Sequence, residues 1–532
     1  MAKESEDIEE TTVEEPTKNG GRSCKPVTNA IWAEGSKAEV QAFYFNNFGR
    51  AVLFISVTFL SFAILELANK QAGCPKNDDG VYEDCGKRVY GAKPSSMLSL
   101  MAVLGGVITA MFMPYAGAIV DYTPYRRAFG IGCATVLVLA NTVQIFLFES
   151  TWFVLAIIQA VFAAASFIAN AMVMWSYVKD SAESDHALHG ITTSGRLWET
   201  FGMFGFLILV TVVGVASGWD SVSLARFSQA LAVALGGTFL WLAYSRYAPR
   251  PAQQEVPEGK GLYTAGMSSL YNTFTQLGKT APGAKRFFMA VVFIDAATGS
   301  FTTLGVTYLK EQLELTDFQS QVFLILTLLC GIPGSIFHRT VGRRFGHKRG
   351  FLACLMYWIG TTVLFVLVLS GPGQKNLAYL FGVLFGIAYG WYFPAINGFF
   401  ISLLPPGRDV EMWGWNQFAS VILSWVPPLI FTGLNETVDD LRLGMVGLIS
   451  FHVIGLIIAF TIDDSQTWDE EKVLSESDEL SDEEVGESAP MEESALSKEE
   501  ELVINEEVGK STPMQESALT KEDELVMNEE VK

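Results

Sequence analysis

The sequence predicts an all-α polytopic membrane protein: twelve transmembrane helices in two six-helix pseudo-repeats, with disordered acidic tails. Three observations predict it. Half of the 532 residues are hydrophobic and the mean hydropathy is +0.30, more apolar than a water-soluble chain of ordinary composition. The apolar residues gather into twelve runs of about 20 residues, the length that crosses a bilayer. The net charge of −21 is segregated: −4 in 1–40, −20 in 463–532 and +3 in the body between them.

Residues 1–40 form a polar, acidic tail without the apolar core of a signal peptide. The first half, 41–245, carries runs near 43–67, 96–120, 128–148, 152–178, 197–216 and 225–245. Residues 246–286 form a central loop rich in Pro, Gly, Ser and Gln. The second half, 287–462, carries runs near 287–309, 317–338, 350–370, 377–403, 413–434 and 443–462. The tail at 463–532 holds two 23-residue repeats, 485–507 and 508–530, identical at 17 positions. Its composition is that of a disordered segment. Ser475 and Ser481 stand among acids that suit an acid-directed kinase. A cytosolic partner and a purely solvating tail are the two expectations for it.

Lys and Arg set the orientation of short loops. With both termini cytosolic, the inner loops hold sixteen and the outer loops nine, which favours that orientation. It places Cys74 and Cys85 together in the first outer loop as a candidate disulfide. It also places the only N-x-S/T sequon, at Asn435, in the last outer loop as a candidate glycan site. Cys24, Cys133, Cys330 and Cys354 lack ligand spacing, and no metal site is expected. His186 and His189, near Asp180, Glu183 and Asp185, read as a solvated loop.

Two loops at corresponding positions of the halves look alike: "GAIVDYTPYRR" after the second run and "GSIFHRTVGRRFGHKR" after the eighth. Gly117, Asp121, Arg126 and Arg127 in the first, and Gly334, Arg339, Arg343 and Arg344 in the second, resemble the cytosolic gating loop of the major facilitator superfamily. His338 stands where the second acid would be. "SLLPPGRDVEMWGWNQFASVILSWVPPLIF" (402–431) is similar to the helix ten to eleven junction of the autophagy-related protein 22 type vacuolar effluxers, with Pro405, Gly407, Glu411, Gly414 and Pro427 in register. "AFYFNNFGRAV" and "FFMAVVFIDAATGSFTTL" are similar to that family's first and seventh helices. Phe45 stands in place of the first-helix acid, and the family's Gln and Arg in helix ten are missing from "YGWYFPAINGFF". The resemblance spans about 40–462 and implies a major facilitator fold and amino acid efflux from a vacuole or lysosome-like compartment during autophagy.

Asp295 lies near the middle of the seventh run, where a carboxylate costs about 2.5–3.5 kcal/mol on insertion scales. In the implied architecture, helices one and seven both line the central cavity. Helix one carries Asn46, Asn47 and Arg50. An Arg50–Asp295 pair would offset the desolvation cost, and would clamp a zwitterion by its carboxylate and its ammonium. The alternatives are proton uptake by Asp295 and a purely structural ion-pair lock. Tyr392, Trp391, Asn397 and Asn416 are further candidates for the substrate or ion pathway. Glu199 is expected to pair with Arg196, and His452 to make a helix–helix contact.

No catalytic constellation occurs, so an enzyme is not expected, nor is a cofactor. No basic cluster interleaved with aromatics appears outside short loops, which argues against nucleic acid. The expected partners are a small-molecule substrate, membrane lipid and a coupling proton. The alternatives are another cargo (sugar, nucleoside, drug or lysolipid) at the plasma membrane, or a non-transporting receptor or scaffold that uses the tail.

Overall fold

A computed structural model describes residues 38–463 apart from 84, 182–184, 258, 405–408 and 439. Pro405, Gly407, Cys24, Ser475, Ser481 and the tail repeats lie outside the described residues, as do the side chains of Asp180, Asp185, His186, His189, Arg343 and Glu411. The described residues all belong to one compact unit.

Twelve helices among the described residues are long and apolar enough to cross a membrane. They are α1 Ala38–Ala72, α2 Pro94–Tyr122, α3 Arg126–Phe146, α4 Trp152–Val178, α5 Gly190–Ser217, α6 Ser221–Arg246, α7 Pro282–Gln312, α8 Asp317–Gly342, α9 His347–Val368, α10 Pro372–Ser402, α11 Gly414–Thr437 and α12 Leu441–Phe460. No strand occurs among the described residues. A helix satisfies its own backbone, the condition for lying in hydrocarbon. The even number of spans puts both ends of the bundle on one face, called here the terminus face. Cys74 and Cys85 mark the opposite, disulfide face.

The halves repeat one packing scheme. α1 lies along α6 and α5, and α7 lies along α12 and α11. Small residues set the closest crossings. At α1–α6, a Cβ on Gly49 would stand 2.9 Å from the Gly236 carbonyl, and a Cβ on Gly236 the same distance from the Gly49 carbonyl. At α8–α10 the approach is tighter. A Cβ on Gly390 would stand 1.9 Å from the Gly331 oxygen, and one on Gly334 2.4 Å from the Ile387 oxygen. Without the hydrophobic effect between lipid-embedded helices, such backbone proximity supplies the packing energy.

Two departures from regular spans position the functional region. α11 is helical over Asp409–Ile422 and again over Val426–Thr437, with a turn between. Pro427 and Pro428 have no N–H to give the carbonyls of Leu423 and Ser424, so the helix cannot run through. Val426 N–H satisfies Leu423 at 3.0 Å, and the Ser300 hydroxyl of α7 donates to Ser424 at 3.2 Å. The second departure lies in the central segment expected as loop. It contains a helix, Leu262–Thr280, which packs on α2. A Cβ on Gly266 would stand 2.2 Å from the Pro114 oxygen there. Trp415 of α11 donates to the Leu270 carbonyl at 3.1 Å and stacks on Phe274 at 5.0 Å. This linker helix therefore touches both halves on the terminus face. Its small apolar face, Ala265, Gly266, Thr273 and Leu277, is too short a signal to stand out among the Gly and Ser of the segment.

Gly390→Ala is expected to overpack the α8–α10 crossing and cost about 1–3 kcal/mol. The melting temperature in detergent should fall by several degrees, while Gly360→Ala, with open space around its Cβ position, should leave it unchanged.

Candidate functional site

Asp295 lies on α7 where that helix faces α10 and α11. Its Oδ1 accepts from the Tyr392 hydroxyl of α10, and its Oδ2 accepts from the Ser420 hydroxyl of α11 at 2.5 Å. Ser420 lies one turn before the α11 break and also reaches the Asn416 carbonyl at 2.9 Å. Tyr389 donates to the Thr298 carbonyl at 3.3 Å. The carboxylate is thus oriented by two neutral hydroxyls from two helices. Among the described residues no Lys, Arg or His pairs with it, and Asp295 itself is only half-buried. Two neutral donors leave further lone pairs of an ionised carboxylate free for a proton or a cation.

The expected Arg50–Asp295 pair is not formed. Arg50 turns into the first half instead: its guanidinium lies 4.1 Å from the Phe167 ring centre, donates to the Phe167 carbonyl at 3.3 Å, and reaches Met174 Sδ at 4.0 Å. The carboxylate whose field acts on it, Glu199, is already held by Arg196 at 2.6 Å. The π face of Phe167 and a local carbonyl provide the contacts that a distant carboxylate was expected to give. Asn47 and Asn46 also leave the pathway. Asn47 donates to the Phe43 carbonyl of its own helix at 2.9 Å. Asn46 is fully buried beside the Tyr244 and Tyr247 hydroxyls, without a hydrogen bond of good geometry. Asn170 donates to that same Tyr244 hydroxyl at 2.7 Å. Trp391 is a packing residue, edge-on to Phe337 at 4.8 Å and tilted on Tyr357 at 6.0 Å. Tyr392 touches Asp295; Asn416 is buried a turn from Ser420, and Asn397 is half-buried further along α10.

The two basic loops on the terminus face differ. In the first, Arg126 is buried with its guanidinium 5.6 Å from the Tyr177 ring, and Arg127 donates twice to the Tyr244 carbonyl near the end of α6, at 2.9 and 3.2 Å. The Asp121 carbonyl accepts from Gln253 and Gln254. In the second, Arg339 and Arg344 are exposed. Gly117 meets only Met172, at 3.9 Å from its Cβ position, so tight packing is a property of Gly334 alone. Gly414 is exposed and Pro427 buried. Across the halves on this face, the Arg196 guanidinium lies 4.7 Å from the Phe393 ring.

The disulfide face is closed by bonds that sequence reading missed. Asn69 of α1 donates to Glu311 of α7 at 2.8 Å, Asn77 to Glu314 at 2.7 Å, and the Ser99 and Thr432 hydroxyls meet at 2.7 Å. Ser221 of α6 donates to Asp317 of α8, and Lys375 pairs with Asp79 at 2.9 Å. Cys74 and Cys85 are bonded, with Cα atoms 5.5 Å apart. Beside Arg442, which donates to both its oxygens, the Asp440 carboxyl is held below its usual range. Asn435 corrects an expectation. Its side chain is buried and donates to the Ser95 and Ser96 hydroxyls at 2.8 Å each, while its carbonyl accepts from Lys93. Glu436 accepts from the Lys93 backbone at 2.8 Å. A glycan needs that amide nitrogen in water; here the sequon is the α11 side of a clamp on α2.

The twelve apolar helices in two similarly packed halves have the fold of a membrane transporter of the major facilitator kind. The chain is similar in structure to the nucleoside transporter NupG (TM-score 0.53, 13% identity, covering 80% of this chain and 98% of that one). It is likewise similar to an auto-inhibited POT family peptide transporter (TM-score 0.54, 12% identity, covering 80% and 96%). No curated protein matches it significantly in sequence. The chain belongs to the Vacuole effluxer Atg22 like family, whose model matches residues 179–472. It is a multi-pass membrane transporter and not an enzyme.

Endoglycosidase digestion is expected to leave the electrophoretic mobility unchanged, because Asn435 is committed to Ser95 and Ser96. In a cysteine-substituted pair, Ser95→Cys with Asn435→Cys, oxidation should cross-link the halves and stop transport, and reductant should restore it. Transport that persists in fully cross-linked protein would show that this contact does not open.

Proposed function

We propose that the protein exports small amine-bearing metabolites, amino acids foremost, from a vacuole- or lysosome-like compartment into the cytosol by alternating access. The observation that carries this is the Asp295 carboxylate, fixed by Tyr392 and Ser420 and lacking a cationic partner among the described residues. An uncompensated carboxylate within a membrane is costly, and an ammonium group or a proton removes the cost. Discontinuous helices commonly border the substrate in such transporters, and the α11 break lies beside this carboxylate. The family assignment supports the compartment and the direction.

The Lys and Arg distribution supports cytosolic termini. The disulfide face is then lumenal, in keeping with a disulfide that persists in an oxidising space. With the described cross-half hydrogen bonds gathered on that face, the conformation is the one closed to the lumen. Rocking of the halves about Asp295 would release those bonds and expose the carboxylate to the lumen.

The test is exchange flux in proteoliposomes with labelled leucine, its deaminated carboxylic analogue, and uridine as a cargo without an amine of comparable basicity. Leucine should exchange, the analogue and uridine should not, and Asp295→Asn should cut leucine flux by at least about tenfold, the loss of an interaction worth about 1.4 kcal/mol. Full leucine flux in Asp295→Asn, or flux confined to uridine, would overturn the proposal.

A further inference from the structure

Arginines tie α3 to α6 at both ends. Towards the terminus face, Arg127 of α3 donates to the Tyr244 carbonyl of α6 at 2.9 Å. Towards the disulfide face, Arg226 of α6 donates through Nε to the Ile145 carbonyl at 2.9 Å. The two levels are equally far apart on each helix, from 127 to 145 on α3 and from 226 to 244 on α6. At the rise of an α-helix that is about 27 Å, close to the hydrocarbon thickness of a bilayer. Arg226 therefore stands at the hydrocarbon edge of the disulfide-face leaflet.

Its surroundings suit that depth. Phe146 is 62% exposed, and Phe148 and Trp219 are each 45% exposed. Exposed aromatic rings gather where hydrocarbon meets headgroups. Trp219 stands edge-on to Phe227 at 5.4 Å. With Ile145, Ser223 and Arg226, these two rings line a shallow cavity of about 350 Å³ between the ends of α3 and α6.

The Arg226 guanidinium is fixed but not neutralised. It lies 4.6 Å from the Phe148 ring centre, and the Nε bond to Ile145 is its one hydrogen bond among the described residues. No carboxylate among them pairs with it. Glu149, next to Phe148, is taken by Lys70, and Asp317, which accepts from Ser221 at the start of α6, is taken by Lys310. The Ser223 hydroxyl lies one turn before Arg226, on the same side of α6. An arginine at this depth needs an anion or water at headgroup level for its charge. The two Nη groups form a planar fork that matches two oxygens of one phosphate.

The geometry points to a phospholipid site in the disulfide-face leaflet. The phosphate diester sits on the Arg226 Nη pair and the Ser223 hydroxyl, and an acyl chain lies against Trp219, Phe227 and the exposed Leu139 of α3. One guanidinium balances one diester charge. The recognised chemistry is the diester itself, which zwitterionic and anionic phospholipids share. The site lies on the outer flank of the first half and is independent of the cargo.

The test uses two probes with the same diazirine-bearing acyl chain, a phosphatidylcholine and the corresponding diacylglycerol, on purified full-length protein in detergent. Cross-linked peptides are read by mass spectrometry. Labelling of 219–227 is divided by labelling around Leu364 and Leu367, which are exposed on α9. In the wild type this ratio should be at least about fivefold higher for the phospholipid, the discrimination of a charge-assisted pair. Arg226→Gln should bring the phospholipid ratio down to that of the diacylglycerol. Excess inorganic phosphate should leave the wild-type ratio unchanged. Equal ratios for the two probes, or a wild-type ratio in Arg226→Gln, overturn the inference. Displacement by inorganic phosphate overturns it too, since the site would then take a free anion rather than a lipid. If Arg226→Gln does not fold, the two probes and the phosphate competition on the wild type decide alone.

Discussion

A single carboxylate at membrane depth organises this molecule. Ionised, Asp295 needs donors, and hydrocarbon has none to give. The fold supplies them without neutralising the charge: one hydroxyl from α10 and one from α11. Both helices must approach α7 closely at this level. α10 is fixed against α8 by a seam that tolerates only glycine at Gly390, and α11 gives way at Pro427 and Pro428 just past Ser420. The Ser424 carbonyl that the break leaves free is taken by Ser300, again from α7. Local chain chemistry and the electrostatic need of one residue thus coincide.

The halves divide the work unequally. In the first, several polar groups are turned inward onto neighbouring rings, hydroxyls and carbonyls: Arg50 over Phe167, Asn170 on Tyr244, Arg127 on the end of α6. In the second, the hydroxyls of Tyr392 and Ser420 meet at Asp295. The contacts between the halves on the disulfide face combine carboxylates accepting from amides, hydroxyls and backbone N–H with the buried Lys93 ammonium, which donates to the Asn435 carbonyl.

The sequence shows the architecture because lipid demands long apolar runs, and twelve of these stand out even where the first and fifth helices extend well beyond them. It also singles out Asp295, since a lone acid in such a run is conspicuous. What it hides is partnership. Ser420 looks like any small residue of a membrane helix, and nothing in "FNNFGR" tells which way Arg50 turns. The clamp at Asn435 was masked by its own motif: a sequon describes three residues, and only packing tells whether the amide faces water or Ser95. The linker helix was masked by composition, because Gly266, a poor helix former, is what lets it lie against α2.

Asn77 and Asp79 reach the second half from inside the ring closed by Cys74 and Cys85. Two of the ties that hold the disulfide face shut therefore depend on a covalent bond that forms only where thiols are oxidised. Asn69 on Glu311, Ser99 on Thr432 and the Asn435 clamp lie outside that ring, so the face is held both by a covalently closed arm and by the helices themselves.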